Sequence, residues 1–193
     1  MLVALTGTHG VGKTSVFEPL KLLCPEAAFF SEAVRHQMKA FGFGHPINDF
    51  CRTYGIGAFE LMNMNAWSVI DPAVNTTLLP GRLVITDRCA VDSIAYYLAM
   101  RSTVFDSVLE RPVLSIARYY ASLYDRFVYF PCGVFPLVGD AMRPADAAFQ
   151  QKVDACLWQA FDLLEVPERK IHRLQATDLD GRLNEMLSLL PAP

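Results

Sequence analysis

Short apolar runs alternate along the chain with longer stretches whose apolar residues recur every three or four positions. Leu2 to Thr6 is a run of the first kind, and it stops at Gly7 as a buried parallel strand does. Val16, Leu20 and Leu23 follow at helical spacing, and Pro19 among them is expected to bend that helix or end it early. Ala27 to Phe30 predicts a second strand, running into Ser31 and Glu32. Residues 32–41 read as helix, Gly42, Gly44 and Pro46 break the chain, and Phe50 to about Asn75 is helical again with a bend or break at Pro72. After the turn Pro80-Gly81, Leu83 to Thr86 predicts a third strand ending at Asp87. Helices are expected over 90–100 and 107–124, and a fourth strand over Phe127 to Phe130, stopped by Pro131. Phe149, Val153, Cys156, Leu157, Ala160, Phe161 and Leu164 make one apolar helix face that Pro144 could open. Ile171 to Leu174 predicts a fifth strand, and Leu183, Met186, Leu187 and Leu190 a last helix.

Strands alternating with helices predict an α/β protein: a five-stranded parallel sheet covered by helices on both faces. No internal repeat, low-complexity segment or linker interrupts the pattern, so residues 1–193 are expected to form one domain. The Gly- and Pro-rich stretch 132–148 is the candidate for a small mobile lid.

Composition narrows the class. Half of the residues are apolar (52%) and 19% are charged, which excludes a disordered chain. No apolar run reaches the roughly 18 residues of a membrane span, and Met1 to Gly12 has no basic leader, so neither membrane insertion nor a signal peptide is expected. Seventeen basic residues against 20 acidic ones leave a formal charge of −3, which argues against non-specific wrapping of duplex DNA. Cys24, Cys51, Cys89, Cys132 and Cys156 form no C-x-x-C pair, so buried thiols in a reducing cytoplasm are expected rather than a zinc cluster or disulfide framework.

The candidate chemistry begins at Gly7-Thr8-His9-Gly10-Val11-Gly12-Lys13-Thr14, a full match to G-x-x-x-x-G-K-[ST] between a predicted strand and helix. Glycines let backbone N–H groups turn inward around phosphate oxygens, and the helix that follows points its positive end at the same charge. The expected cradle runs from Gly7 through Ser15, with Lys13 reaching the β- and γ-phosphates and the Thr14 hydroxyl ligating Mg²⁺. His9 occupies a free position and reads as a spacer near the γ-phosphate rather than a catalytic base. The third strand ends in Asp87, the pattern of a carboxylate that orients Mg²⁺ or its water, and Arg88 follows at once.

Ligands of open α/β sheets bind at the carboxyl ends of the strands, so Glu32 and Arg35 after strand two should face the loop together with Asp87 and Arg88. Glu32 is a candidate base for an acceptor hydroxyl, against the alternative of a helix-start carboxylate. Arg35 and Arg88 are candidates to hold a substrate phosphate. Asp92 and Tyr96, four residues apart, either support Arg88 or line the pocket. Phe41, Phe43, Phe50, Tyr54, Phe59 and Trp67 are individually core candidates and collectively a candidate base pocket. In the lid, Arg143 could swing over the γ-phosphate.

Thr6 to Thr14, together with Asp87, Arg88, Asp92, Ala95 and Tyr96, resembles the small P-loop nucleoside and nucleotide kinases. The resemblance is to the branch of thymidylate-kinase-like proteins and the kinase part of nicotinamide riboside kinases, which includes phage kinases acting on 5-hydroxymethyluracil in DNA. Cys89, where that branch often has Ser, and Pro19 depart from the pattern. The resemblance implies a P-loop NTPase fold, ATP and Mg²⁺ as cofactors, a catalytic lid arginine at Arg143, and adenine lined by the segment holding Thr177 and Arg182. It also implies the cytoplasm as the location (the host's, if the source is a phage), and leaves oligomeric state open. Three readings follow. One is a kinase of a free nucleoside or nucleotide. Another is a kinase of a modified base in DNA, using a groove of Arg118, Arg126, Arg143, Lys152 and Arg173. The third is a nucleotide-dependent switch or motor module.

Overall fold

Leu2–Thr6 forms strand β1 at the centre of the sheet, because its residues are apolar on both faces and need cover on both. A computed structural model describes residues 1–31, 67–71, 81–100, 107–137 and 146–191. Within them the remaining strands are β2 (Ala28–Phe30), β3 (Val84–Asp87), β4 (Arg126–Tyr129) and β5 (Ile171–Arg173). All pairings are parallel, in the order β2-β3-β1-β4-β5. The expected five-stranded parallel sheet is therefore present, each strand within a residue or so of its sequence pattern.

Among the described residues the helices are α1 (Lys13–Leu23), α2 (Ala90–Met100), α3 (Ser107–Ser122), α4 (Ala147–Leu163) and α5 (Leu179–Leu189). Alternate strand residues sort them into two layers. Ala4, Phe127 and Tyr129 pack with Ile94, Ala117 and Leu157 of α2, α3 and α4. Val3, Leu5, Ile85, Val128 and Phe130 pack with Phe17 and Leu20 of α1 and Met186 of α5. Trp67 joins the first layer, buried against Tyr120, which places it in the core.

Two expectations narrow. Of the two outcomes expected at Pro19, a bend or an early end, the early end does not occur: the helix runs on to Leu23. The missing N–H and the proline ring cost helix stability, yet Val16, Phe17 and Leu20 around it are buried against the sheet and hold the helix. Helix α4 opens at Asp146 rather than Pro144: the Asp146 carboxylate accepts the Phe149 N–H at 2.9 Å. The helices expected at 32–41 and 50–75 lie outside the described residues, except for a short helical turn at Ser68–Ile70.

The strand order creates the crevice. β3 and β4 flank β1 on opposite sides, so the segments leaving β1 and β3 emerge side by side at the carboxyl end of the sheet. No helix among the described residues is long and apolar enough to cross a membrane.

Candidate active site

Residues 7–12 link β1 to α1 in a turn that only particular residues can make. Gly7 has φ 148°, and a Cβ there would lie 2.7 Å from the Phe130 carbonyl oxygen, so β4 leaves no room for a side chain. Gly12 has φ 85° and caps α1 with no side-chain bond to the helix's first N–H groups. Its backbone lies against the Phe135 ring, 3.1 Å from where a Cβ would stand.

Side chains hold the carbonyls of this turn. Lys13 is buried, and its Nζ donates to the carbonyls of Gly7 and Thr8, both at 2.6 Å. Gln150 of α4 donates through Nε2 to the His9 carbonyl at 2.7 Å, and Arg182 of α5 through Nη1 to the Val11 carbonyl at 2.6 Å. A trans peptide points its N–H opposite to its C=O. Drawing the His9 and Val11 carbonyls toward α4 and α5 thus turns the N–H groups of Gly10 and Gly12 the other way. Together with the uncapped start of α1, this arrangement suits an anion.

Arg182 is 0% exposed, with Nε on the Ala176 carbonyl at 3.0 Å and its guanidinium between the Phe130 and Phe135 rings. Burial lowers its pKa, but a guanidinium stays charged. Its Nη2 has no hydrogen-bond partner among the described residues. A buried positive charge thus lies directly behind the loop. Glu185, one turn on, pins the approach to α5: its carboxylate accepts the N–H groups of Gln175 and Ala176, both at 3.0 Å, and meets His172 Nε2 at 2.7 Å. Burial alone would raise the Glu185 carboxyl, but these partners outweigh it and hold it below the usual range.

On the other side, β3 delivers Asp87 to the loop. Thr14 Oγ1 and Asp87 Oδ2 are 3.4 Å apart. Adjacent ligands on an octahedral Mg²⁺ are about 3 Å apart, and both are the hard oxygen donors that ion prefers. No group of three His, Cys, Asp or Glu suited to a metal occurs among the described residues. An ion held here would complete its shell with phosphate and water, as Mg²⁺ does. The residues present therefore fit Mg²⁺ bound together with a nucleotide.

Arg88 follows in the left-handed region, φ 77°, with its N–H on the Leu5 carbonyl at 3.0 Å. A non-glycine residue held there costs on the order of 1–3 kcal/mol and is a mark of functional sites. Its guanidinium lies over the Tyr96 ring, 3.4 Å from the Gly7 carbonyl and 3.6 Å from Asp92 Oδ1. Asp92 is buried and accepts the N–H groups of Gly7 and Cys89, each at 3.0 Å. Burial first, and then the Asp92 charge, push the Cys89 thiol well up, so it is an inert packing group. His9 turns into the protein: Nδ1 meets the Tyr96 hydroxyl at 3.0 Å, and the ring packs near Phe149.

The structure thus gathers Gly7, Thr8, His9, Gly10, Val11, Gly12, Lys13, Thr14, Asp87, Arg88, Asp92, Tyr96 and Arg182 at one end of the sheet. Ser15 and Thr177 are exposed at its rim. Glu32, Arg35, Arg143 and the aromatics from Phe41 to Phe59 lie outside the described residues, as do 138–145 of the stretch expected to form a lid. Phe135 and Leu137, from the stretch expected to form a lid, lie against the loop at Gly12 and Gly10. Gln150, Phe135 and Glu185 carry no motif that would have singled them out.

Three of the basic residues offered as a DNA groove lie at different ends of the sheet, and Arg143 lies outside the described residues. Arg126 opens β4, and Arg118 bonds the Leu163 carbonyl and pairs with Glu165, both at the amino end of the sheet. Arg173 closes β5 at the opposite end, over Tyr129.

A family model described as an AAA domain matches residues 2–182. The chain belongs to that family. No curated protein matches by sequence. Among solved structures, thymidylate kinase from Candida albicans superposes with a TM-score of 0.65 at 14% identity, covering 97% of this chain and 89% of that one. Thymidylate kinase from Ehrlichia chaffeensis gives 0.62 at 15%, covering 98% and 97%. NadR protein in complex with NR gives 0.60 at 15%, covering 97% of this chain but 49% of NadR. The fold is that of the P-loop kinases.

Proposed function

We propose that the protein is an ATP- and Mg²⁺-dependent kinase that transfers the γ-phosphoryl group to a hydroxyl of a nucleoside or nucleotide-type acceptor. The observation that carries this reading is the glycine turn with its carbonyls tied to Lys13, Gln150 and Arg182, beside the Thr14–Asp87 oxygen pair. The likeness to thymidylate kinases and to NadR, which has also been solved with NAD and AMP-PNP, supports it.

In this reading the N–H groups from Gly7 to Ser15 surround the phosphates. Lys13 would exchange the Gly7 and Thr8 carbonyls for the β- and γ-phosphates, and Thr14 and Asp87 would hold Mg²⁺, which when bound would neutralise charge on the transferring group. Arg88 holds the acceptor, with Tyr96 beneath it, and Asp92 supports Arg88. Arg182 adds positive charge from behind the nucleotide. Glu32 takes the proton of the attacking hydroxyl, Arg35 holds an acceptor anion, and Arg143 covers the phosphoryl group from the lid. Phosphoryl transfer asks little covalent chemistry of a protein, so positioned charge is the main contribution.

The test is a mass-spectrometric screen with ATP and Mg²⁺ against nucleosides, nucleotides and DNA containing 5-hydroxymethyluracil. A mass gain of one phosphoryl group on a free nucleoside or nucleotide is the expected result. Gain only on the DNA would assign the modified-base alternative. Release of phosphate with no acceptor labelled would favour a switch or plain NTPase.

A further inference from the structure

Asp92 has one oxygen that helix capping does not account for. It is the third residue of α2, and its Oδ2 accepts the Cys89 N–H at 3.0 Å, as an acid in a first turn commonly does. The other oxygen of such a carboxylate ordinarily faces water. Here the side chain is 1% exposed, and Oδ1 accepts the N–H of Gly7, the first residue of the phosphate loop, at 3.0 Å. The same Oδ1 lies 3.6 Å from Arg88 Nη1. The first peptide of the loop, the residue after Arg88 and the Arg88 guanidinium therefore meet on a single carboxylate. A buried carboxylate is costly unless its oxygens are bonded, so neither backbone contact is readily given up.

We infer that Asp92 is a positioning residue that couples the phosphate loop to the Arg88 turn, so that an occupied loop sets how Arg88 is presented to the acceptor. The inference rests on the kinase reading above. The route is short. A phosphate drawing on the loop's N–H groups moves the Gly7 peptide, the Gly7 N–H moves the carboxylate, and Oδ2 moves the Cys89 peptide. That peptide adjoins Arg88, whose backbone is already held at φ 77°. Asp92 touches no substrate in this scheme and acts through Gly7, Cys89 and Arg88.

The experiment follows backbone amides by NMR as Mg·ADP is added, a nucleotide that fills the loop without a γ-phosphate. In the wild type, the amides of Gly7, Arg88 and Cys89 should shift together and saturate at one nucleotide concentration. In Asp92→Asn, whose amide turns an N–H toward one of the two donors, Gly10 and Gly12 should still respond. The Arg88 and Cys89 responses should shrink about threefold or more. An undiminished response in the variant overturns the coupling. So does a wild type in which the loop responds and Arg88 and Cys89 do not, and that arm stands even if the variant fails to fold.

A wild type with no loop response to ADP defeats the nucleotide reading instead. The clamp is then judged in the ligand-free protein, where Asp92→Asn should speed hydrogen exchange at Gly7 and Cys89 together, and unchanged exchange rejects it. With the acceptor in hand, Asp92→Asn should lower kcat about 10- to 100-fold, the size of effect seen for groups that orient catalytic ones, with a smaller change in KM for ATP. A merely structural residue would lower Tm and leave both constants unchanged per folded molecule.

Discussion

The phosphate loop and the Arg88 turn lie side by side at the carboxyl end of the sheet, but they are held in different ways. The loop's carbonyls are tied by donors at 2.6–2.7 Å from α1, α4 and α5. Arg88 has an unfavourable φ of 77°, and its guanidinium contacts to Gly7 and Asp92 are long, 3.4 and 3.6 Å. In the loop, the His9 and Val11 carbonyls are fixed by side chains of distant helices, which limits the ordering that binding there would cost. The Arg88 turn holds a non-glycine residue in the left-handed region, which stores local strain.

Removing a donor from the rigid region should do the most damage. Lys13→Ala is expected to lower phosphoryl transfer about 1,000-fold, since each 1.36 kcal/mol of lost transition-state stabilisation is tenfold in rate. Steady-state turnover with ATP and Mg²⁺ measures it, beside a thermal melt showing the fold retained. Near-normal turnover would refute the loop's role.

On the strained side, Arg88→Ala should reduce turnover about 100-fold, and Arg88→Lys should recover little of it if the planar fork is what binds. Full recovery by lysine would make Arg88 a general positive charge and weaken the contrast between the two regions.

Gln150→Leu keeps the bulk but leaves the His9 carbonyl without its donor. Loss of a buried bond of this kind costs about 1–3 kcal/mol, which for a chain of this size lowers Tm by very roughly 2–10 °C. Affinity for AMP-PNP should weaken as well, because the Gly10 N–H loses its fixed direction. A stable variant with full affinity would show that the loop is shaped without α4.

The smallest effect concerns Glu185. Its folded-state pKa is depressed, so its contribution to stability is present above the unfolded carboxyl pKa, about 4.3, and fades as pH falls through the folded value. Chemical denaturation at a series of pH values should therefore show stability dropping below about pH 4.5 in the wild type, with a shallower drop in Glu185→Gln. Parallel curves would remove Glu185 from the account of the β5–α5 approach.

Much of the architecture was legible because its signals are local. Apolar runs of strand length between amphipathic stretches located β1, β3 and β4, and the motif from Gly7 to Thr14 located the cradle. Pro19 does not end its helix because the proline's effect is local, whereas the burial of Val16, Phe17 and Leu20 that holds the helix is not. Asp92 was visible as a candidate through its place four residues before Tyr96. Its bond to Gly7 was not, since 85 residues separate the two.

The sequence by itself determined the α/β pattern, the phosphate loop and the carboxylate at the end of β3, because backbone periodicity and glycine's conformational freedom act over a few residues. Only the tertiary structure decided what surrounds that loop. Gln150 reaches His9 from 141 residues away, Arg182 reaches Val11 from 171, and the order β2-β3-β1-β4-β5 brings Asp87 beside Thr14. These contacts depend on where whole helices come to rest on the sheet. That placement follows from burying two apolar faces at once, and no local run of residues encodes it.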